Sequence, residues 1–205
     1  MELLTQTISY FSENQIELWG TIFGIICVWF NTKENIWGWP TGLISVGLYI
    51  YIFLNAGLYG DFLLHIIYVI LGIYGWYHWL YGGKSTDALP VSYSSTKELS
   101  ILVVIGTLGT LVMGYIFENY FGSDVPYWDA FTTSFSLIAQ WQLAKKRIEN
   151  WVIWIIVDVA CVGIYFYKGL MFTTFLYFVY LFLASWGFIQ WRKSYQQHKT
   201  EKVIA

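Results

Sequence analysis

The stretch from Leu99 to Phe117, "LSILVVIGTLGTLVMGYIF", runs for 19 residues without a charged side chain. As a helix rising 1.5 Å per residue it would be about 28 Å long, close to the ~30 Å hydrocarbon core of a bilayer. Backbone can cross lipid only where it satisfies its own hydrogen bonds, so a run of this kind has to form a helix. Comparable apolar runs recur along the 205-residue chain, and its charges gather between them. Only 12% of the residues are charged, about half the share a soluble domain needs to cover its surface. Seven spans are read, at roughly 16–31, 36–54, 58–80, 99–121, 127–144, 150–167 and 170–191. The expected fold is an all-α integral membrane protein with seven transmembrane helices, embedded in a lipid bilayer.

The basic residues orient these spans. Lys33, Lys84, Lys97, Lys145, Lys146, Arg147, Arg192, Lys193, Lys199 and Lys202 fall on one set of alternating loops, and only Lys168 falls on the other. Cytoplasmic loops carry the excess of Lys and Arg, so the N-terminus is expected outside and the C-terminus inside. The first 15 residues carry no Lys or Arg, and a cleavable signal peptide is not expected. Cys27 and Cys161 each lie within an apolar run, and the three histidines stand apart from any cysteine pair or HExxH pattern. Neither a disulfide framework nor a metal site is expected, and no cofactor or nucleic-acid partner is implied.

The chain also repeats itself. A shift of 112 positions lays 33–79 over 145–191 without a gap, pairing Trp39 with Trp151 and Gly57-Leu58 with Gly169-Leu170. It also pairs Ile52 with Ile164, Tyr68 with Tyr180, Gly75 with Gly187 and Trp79 with Trp191. Spans one to three and five to seven then form parallel repeats, and the fourth restores the orientation, a 3+1+3 plan. The corresponding segments are an outer N-terminal segment 1–15, a first repeat 16–80 and a loop plus connector 81–126. A second repeat 127–191 and a cytoplasmic tail 192–205 complete the chain. Repeats about an axis along the membrane normal occur in transporters, where the substrate site lies at the repeat interface.

Polar side chains within the spans mark candidate site residues. Asp129, Thr133, Ser136 and Gln140 follow one another at i, i+4, i+7 and i+11, a polar stripe on one helix face. The alternative for Thr133 and Ser136 is hydrogen bonding between helices, and for Asp129 solvation at the outer end. In "ENWVIWIIVDV" Trp151, Trp154 and Asp158 share a face at i, i+3 and i+7. A mid-bilayer carboxylate is costly unless water or a partner meets it, and no Lys or Arg lies at comparable depth. Two indole faces beside it suit a flat cation. The third span offers His65, Tyr68, Gly72, Trp76 and Trp79 along one face, and Trp79 and Trp191 are read as interfacial anchors. Pro40 marks a first-turn proline or a kink in the second span.

Four classes compete for this pattern. A seven-span receptor shares the count and orientation, but "LMFTTFLYFVYLFLASWGFIQW" holds no lysine for a retinal Schiff base. An intramembrane enzyme needs a nucleophile–base pair or a metal cluster, and neither is visible. Sugar carriers of the SWEET type share the 3+1+3 plan, but with only Pro40, Pro90 and Pro126 the chain lacks prolines at matched positions. A small-molecule transporter with an aromatic and amide-lined site accounts for all the features.

The segments "NIWGWPTG", "LYGDFLLHIIYVILGIYGWYHW", "PYWDAFTTSFSLIAQW" and "KKRIENWVIWIIVDV" together resemble the PnuC family of bacterial vitamin transporters. The resemblance runs from about residue 16 to 192, with ENWxxW its most specific part. It implies a 3+1+3 membrane fold in the bacterial inner membrane and uptake of nicotinamide riboside by facilitated diffusion. It also implies trapping by a cytoplasmic kinase, feeding NAD synthesis, and a homotrimer. Trp151 and Trp154 match the family's WxxW pair, walls around the nicotinamide end. Asn150 and Gln140 match its amide positions, though Asn150 also stands where a helix cap would. Asp158 occupies a position suited to a carboxylate or an amide, and Trp39 and Tyr68 complete the expected substrate-binding set. Thiamine, likewise a flat cation, and riboflavin are the alternative substrates within the family.

Overall fold

The computed structural model describes residues 15–55, 59–82 and 89–204. Lys84, the Gly57-Leu58 pair and the outer segment up to residue 14 lie outside them. Among the described residues the chain forms α1 (Gln15–Thr32), α2 (Gly38–Asn55), α3 (Tyr59–Tyr81) and α4 (Thr96–Ile116). A π-helical turn (Phe117–Phe121) follows, then α5 (Pro126–Ala144), α6 (Glu149–Tyr167) and α7 (Met171–Ile204). Five of these helices start and stop within three residues of the spans expected from the apolar runs, and α4 does so only together with the π-helical turn. The seventh continues through the polar segment after Trp191 to Ile204, because Gln, Lys and Glu are good helix formers.

Among the described residues, four stretches are long and apolar enough to cross a bilayer: Asp61–Tyr81, Thr96–Phe121, Glu149–Tyr167 and Thr173–Glu201. The helix α5 is more polar and carries Asp129, Thr132, Thr133, Ser134, Ser136, Gln140 and Gln142. Local chemistry sets the helix starts. Ser95 caps α4 by accepting from the Glu98 amide at 3.1 Å. Pro126 opens α5 and Pro40 sits in the first turn of α2, where a missing N–H costs nothing.

The chain divides into two compact units, residues 1–76 and 77–205. In the first, α1 and α2 are tied where the Ser45 hydroxyl donates to the Gly20 carbonyl at 2.7 Å. Thr21 and Tyr49 hydroxyls add a second bond at 2.9 Å. The indole of Trp39 lies so close to Gly75 that a Cβ there would overlap it. In the second unit, Gly106 and Gly109 let α4 approach Phe135, Ile138 and Ser134 of α5, the small-residue packing common between membrane helices.

Each unit contains a tight helix–helix turn, and the two turns share four backbone bonds at equivalent positions. Glu34 and Lys146, 112 residues apart, both take the left-handed conformation at φ 55°, which disfavours side chains other than glycine. Asn35 N–H donates to Phe30 at 2.9 Å, and Arg147 N–H donates to Gln142 at 2.9 Å. Trp39 N–H reaches Ile36 at 3.1 Å, and Trp151 N–H reaches Ile148 at 3.1 Å. Lys33 lies over Trp29, as Lys145 lies over Trp141.

Candidate functional site

The face of α6 that begins with Trp151 carries a buried carboxylate. Trp151, Trp154, Asp158, Cys161 and Tyr165 succeed one another by three or four residues and share that face. Val152, Ile156, Val159 and Phe166 stand exposed on the other side. Trp151 is only 2% exposed. A Cβ on Gly187 would come within 2.6 Å of its ring, and Trp191 meets it edge-to-face at 5.4 Å. Trp154 is half-buried.

Trp79 and Trp191, read from sequence as interfacial anchors, are both buried instead. Their rings lie 5.7 Å apart, and Lys146 covers Trp79 at 4.8 Å. Trp79 Nε1 donates at 3.0 Å to the Leu143 carbonyl near the end of α5, which also accepts from Lys146 N–H at 2.9 Å. A satisfied indole N–H and a ring pressed on a second ring make these two residues part of the packing under the turn.

Asp158 is 3% exposed, and no hydrogen bond or ion pair reaches its carboxylate among the described residues. One turn further on, Cys161 hydrogen-bonds with Tyr177 of α7. Tyr177 stacks on Tyr165 at 5.1 Å and meets Tyr180 edge-on at 5.9 Å. The first unit holds the matching triad, with Phe53 4.8 Å from His65 and His65 edge-on to Tyr68 at 5.6 Å. Tyr68 and Trp39 thus belong to the first unit's packing.

The stripe expected on α5 divides in two. Asp129 pairs with Lys168 at 3.4 Å and accepts from the Ser123 hydroxyl at 2.5 Å. Thr133 donates back to the Asp129 carbonyl at 2.8 Å, the ordinary bond of a helical threonine. Ser136 is buried and Gln140 half-buried. Ser134, one position off the stripe, is the buried hydroxyl that faces α4, 3.5 Å from the Met113 sulfur.

The sequence reading passed over Gln142, which is fully buried. Its Oε1 accepts from the Ser94 hydroxyl at 3.0 Å, while its Nε2 has no partner among the described residues. Asn150 does not cap α6, since Ile148 holds that position. It is fully buried, and its Nδ2 donates to the Arg147 carbonyl at 2.5 Å. That leaves Asn150 Oδ1 unmet, and Trp151 Nε1 is unmet as well. With Arg147 Nε, three donors and one acceptor on residues 142–151 are thus buried without partners among the described residues, where such atoms ordinarily find one.

Chemically, this region offers aromatic faces, a buried carboxylate and unmet amide groups. Residues 14–193 match the family model described as "Nicotinamide mononucleotide transporter". The chain belongs to that family. It is a membrane transporter for a small molecule, with several apolar helices to place it in the bilayer. Among similar proteins, the nicotinamide riboside transporter PnuC of Escherichia coli (strain K12) is 28% identical, over 87% of this chain and 85% of that protein. The PnuC of Neisseria mucosa is 29% identical, over 86% of this chain and 72% of its own. The riboflavin/roseoflavin transporter RibM of Streptomyces davaonensis is 27% identical, over 84% of this chain and 82% of its own. The crystal structure of the vitamin B3 transporter PnuC has the same fold, with a TM-score of 0.73 at 24% identity. That match covers 96% of this chain and 88% of the other.

Proposed function

We propose that this transporter takes up nicotinamide riboside by facilitated diffusion across the bacterial inner membrane. All seven helices cross the bilayer as 3+1+3 parallel repeats, N-terminus out and C-terminus in, and three chains form a homotrimer. A cytoplasmic kinase traps the substrate and feeds it to NAD synthesis. The observation that carries the reading is Asp158, a buried carboxylate without a partner among the described residues, on one helix face with Trp151 and Trp154. A cationic pyridinium supplies the missing charge, and the indoles attract it further by cation–π contact.

In this reading Trp151 and Trp154 wall the ring, Asp158 faces its charge, and Asn150, Gln140, Thr133 and Ser136 meet its polar groups. Trp39 and Tyr68 hold the equivalent positions in the first repeat. The tight seat of Trp151 against Gly187 means that the substrate enters only when α6 and α7 shift apart. Riboflavin is the second reading, favoured by the likeness to RibM. Its uncharged ring would leave Asp158 unmet, which ranks it below nicotinamide riboside and the cationic thiamine.

Uptake into proteoliposomes tests the proposal. Labelled nicotinamide riboside should equilibrate across the membrane with no gradient of H⁺ or Na⁺. Accumulation above the outside concentration, abolished by an ionophore, would show that transport is ion-coupled instead.

A further inference from the structure

The two ends of the α5–α6 pair differ in charge. Lys145, Lys146 and Arg147 lie at the turn that joins the helices, whereas residues 117–130 at the far end carry Glu118, Asp124 and Asp129 and no Lys or Arg. Lys168 is the counterion at that far end. It sits in the turn after α6, where Gly169 takes φ 72° and Leu170 N–H donates to the Tyr165 carbonyl at 2.9 Å. Its ammonium lies 3.4 Å from both oxygens of the Asp129 carboxylate, which also accepts from the Ser123 hydroxyl at 2.5 Å. That separation exceeds the roughly 2.7–2.9 Å of a close charge-assisted hydrogen bond. The two side chains are 29% and 30% exposed, so solutes reach the pair, and an ion pair in water is weakly held.

Polar groups lead inward from Asp129. Thr133 and Ser136 follow it on one face of α5, while Cys161 and then Asp158 follow on α6. At 1.5 Å per residue, Thr133 and Cys161 lie at similar depths, as do Ser136 and Asp158, about 10 Å further in than Asp129. Cys161 is buried within electrostatic reach of both Asp158 and Asp129. The first unit shows what else can stand at this level. Its equivalents of Thr133 and Cys161 are Thr21 and Tyr49, whose hydroxyls bond across α1 and α2 at 2.9 Å, with the Tyr49 ring packed over Gly20. A tyrosine ring bridges the helices there, and a small thiol takes its place in the second unit. The first half keeps a carboxylate, Glu17, at the position of Asp129, but has Val46 for Asp158 and Ala56 for Lys168. A lysine beside the outer carboxylate thus occurs in the half that also buries a second carboxylate.

A cation drawn from this end toward the buried Asp158 meets Asp129 first. We propose that Asp129 is the entry position for the transported cation, and that Lys168 is a tethered cation which the substrate displaces on its way to Asp158. The assignment rests on the nicotinamide riboside reading and adds to it a route from the outer end. Lys168 itself stays outside, ten residues or about 15 Å along α6 from Asp158. A charge that is passed on the way in changes the rates of binding and release together, and affects the affinity of the final position far less.

Stopped-flow mixing of purified full-length protein with nicotinamide riboside, or with its uncharged reduced form, tests this through tryptophan fluorescence. Asp129→Asn should slow association of the cation by roughly 10-fold, and Lys168→Met should speed it by about 3-fold. Association of the reduced form should change by less than about 2-fold in either variant. An ion pair that only latches the helix ends behaves otherwise. Both substitutions break it, so both would shift the rates in one direction and for both ligands. That outcome would overturn the proposal, and so would rates that ignore Asp129. Asp124→Asn removes a charge from the same end without touching the pair, and should leave association close to wild type. An effect as large as that of Asp129→Asn would assign the attraction to the general field of this end and overturn the entry position. A wild type that binds riboflavin but not nicotinamide riboside would overturn the functional reading itself, and this inference with it.

Discussion

In the first half of the chain the Trp39 indole fills the space above Gly75, and in the second the Trp151 indole fills the space above Gly187. The turns before them share a left-handed residue at the same φ and the same backbone bonds. An aromatic triad follows in each. The chemistry does not follow this pattern. At the positions equivalent to Gln142, Asn150, Trp154 and Asp158, the first half carries Phe30, Gly38, Gly42 and Val46. The comparison separates residues that build the turn, which occur in both halves, from Gln142, Asn150, Trp154 and Asp158, which occur in one.

The largest effect should come from the shared residues. Trp39→Ala and Trp151→Ala each open a cavity against a glycine, and each should cost about 3–5 kcal/mol of stability in detergent. A loss confined to one half would break the structural equivalence. Adding a single carbon at Gly75 or Gly187 should also destabilise both halves, by about 1–3 kcal/mol, since the indole must move. Thermal unfolding of the alanine variants reads this directly.

The unshared residues should act on binding instead. Trp154→Ala is expected to weaken the affinity for nicotinamide riboside by about 1–3 kcal/mol with little loss of stability, as Trp154 is only half-buried. Unchanged affinity would return it to the ordinary role of tryptophan in membrane helices.

The sequence revealed most of the helices because lipid imposes a length and a composition on each span. It did not reveal that α7 continues to Ile204, since an apolar run ends where lipid ends and the backbone does not have to follow. Asp158 and the WxxW pair stand out in the sequence because a carboxylate among valines is costly in a bilayer. Gln142 could not, since it sits at a helix end where glutamine is usually solvated. Its burial depends on the contact with Ser94, 48 residues away, which no local pattern announces. Trp79 and Trp191 misled for the same reason, as a tryptophan at a span's end looks the same whether it faces lipid or another ring.

A smaller effect sharpens the comparison at Asp158. Asp158→Asn keeps the shape and removes the charge, and should shrink the preference for nicotinamide riboside over its uncharged reduced form by about 1 kcal/mol. Val46→Asn, at the equivalent position of the first half, should leave that preference alone. Measuring both ligands against each variant cancels any general loss of folded protein. A double difference near zero would reduce Asp158 to a structural residue.

The central claim, that a duplicated scaffold carries one site for a flat cationic vitamin, is tested most directly by calorimetric titration. Purified protein would be titrated with nicotinamide riboside, thiamine and riboflavin side by side. The account predicts one site per chain, with nicotinamide riboside binding at least about 10-fold more tightly than either competitor, a difference of ~1.4 kcal/mol. Two equal sites per chain, or riboflavin as the tightest ligand, would contradict it.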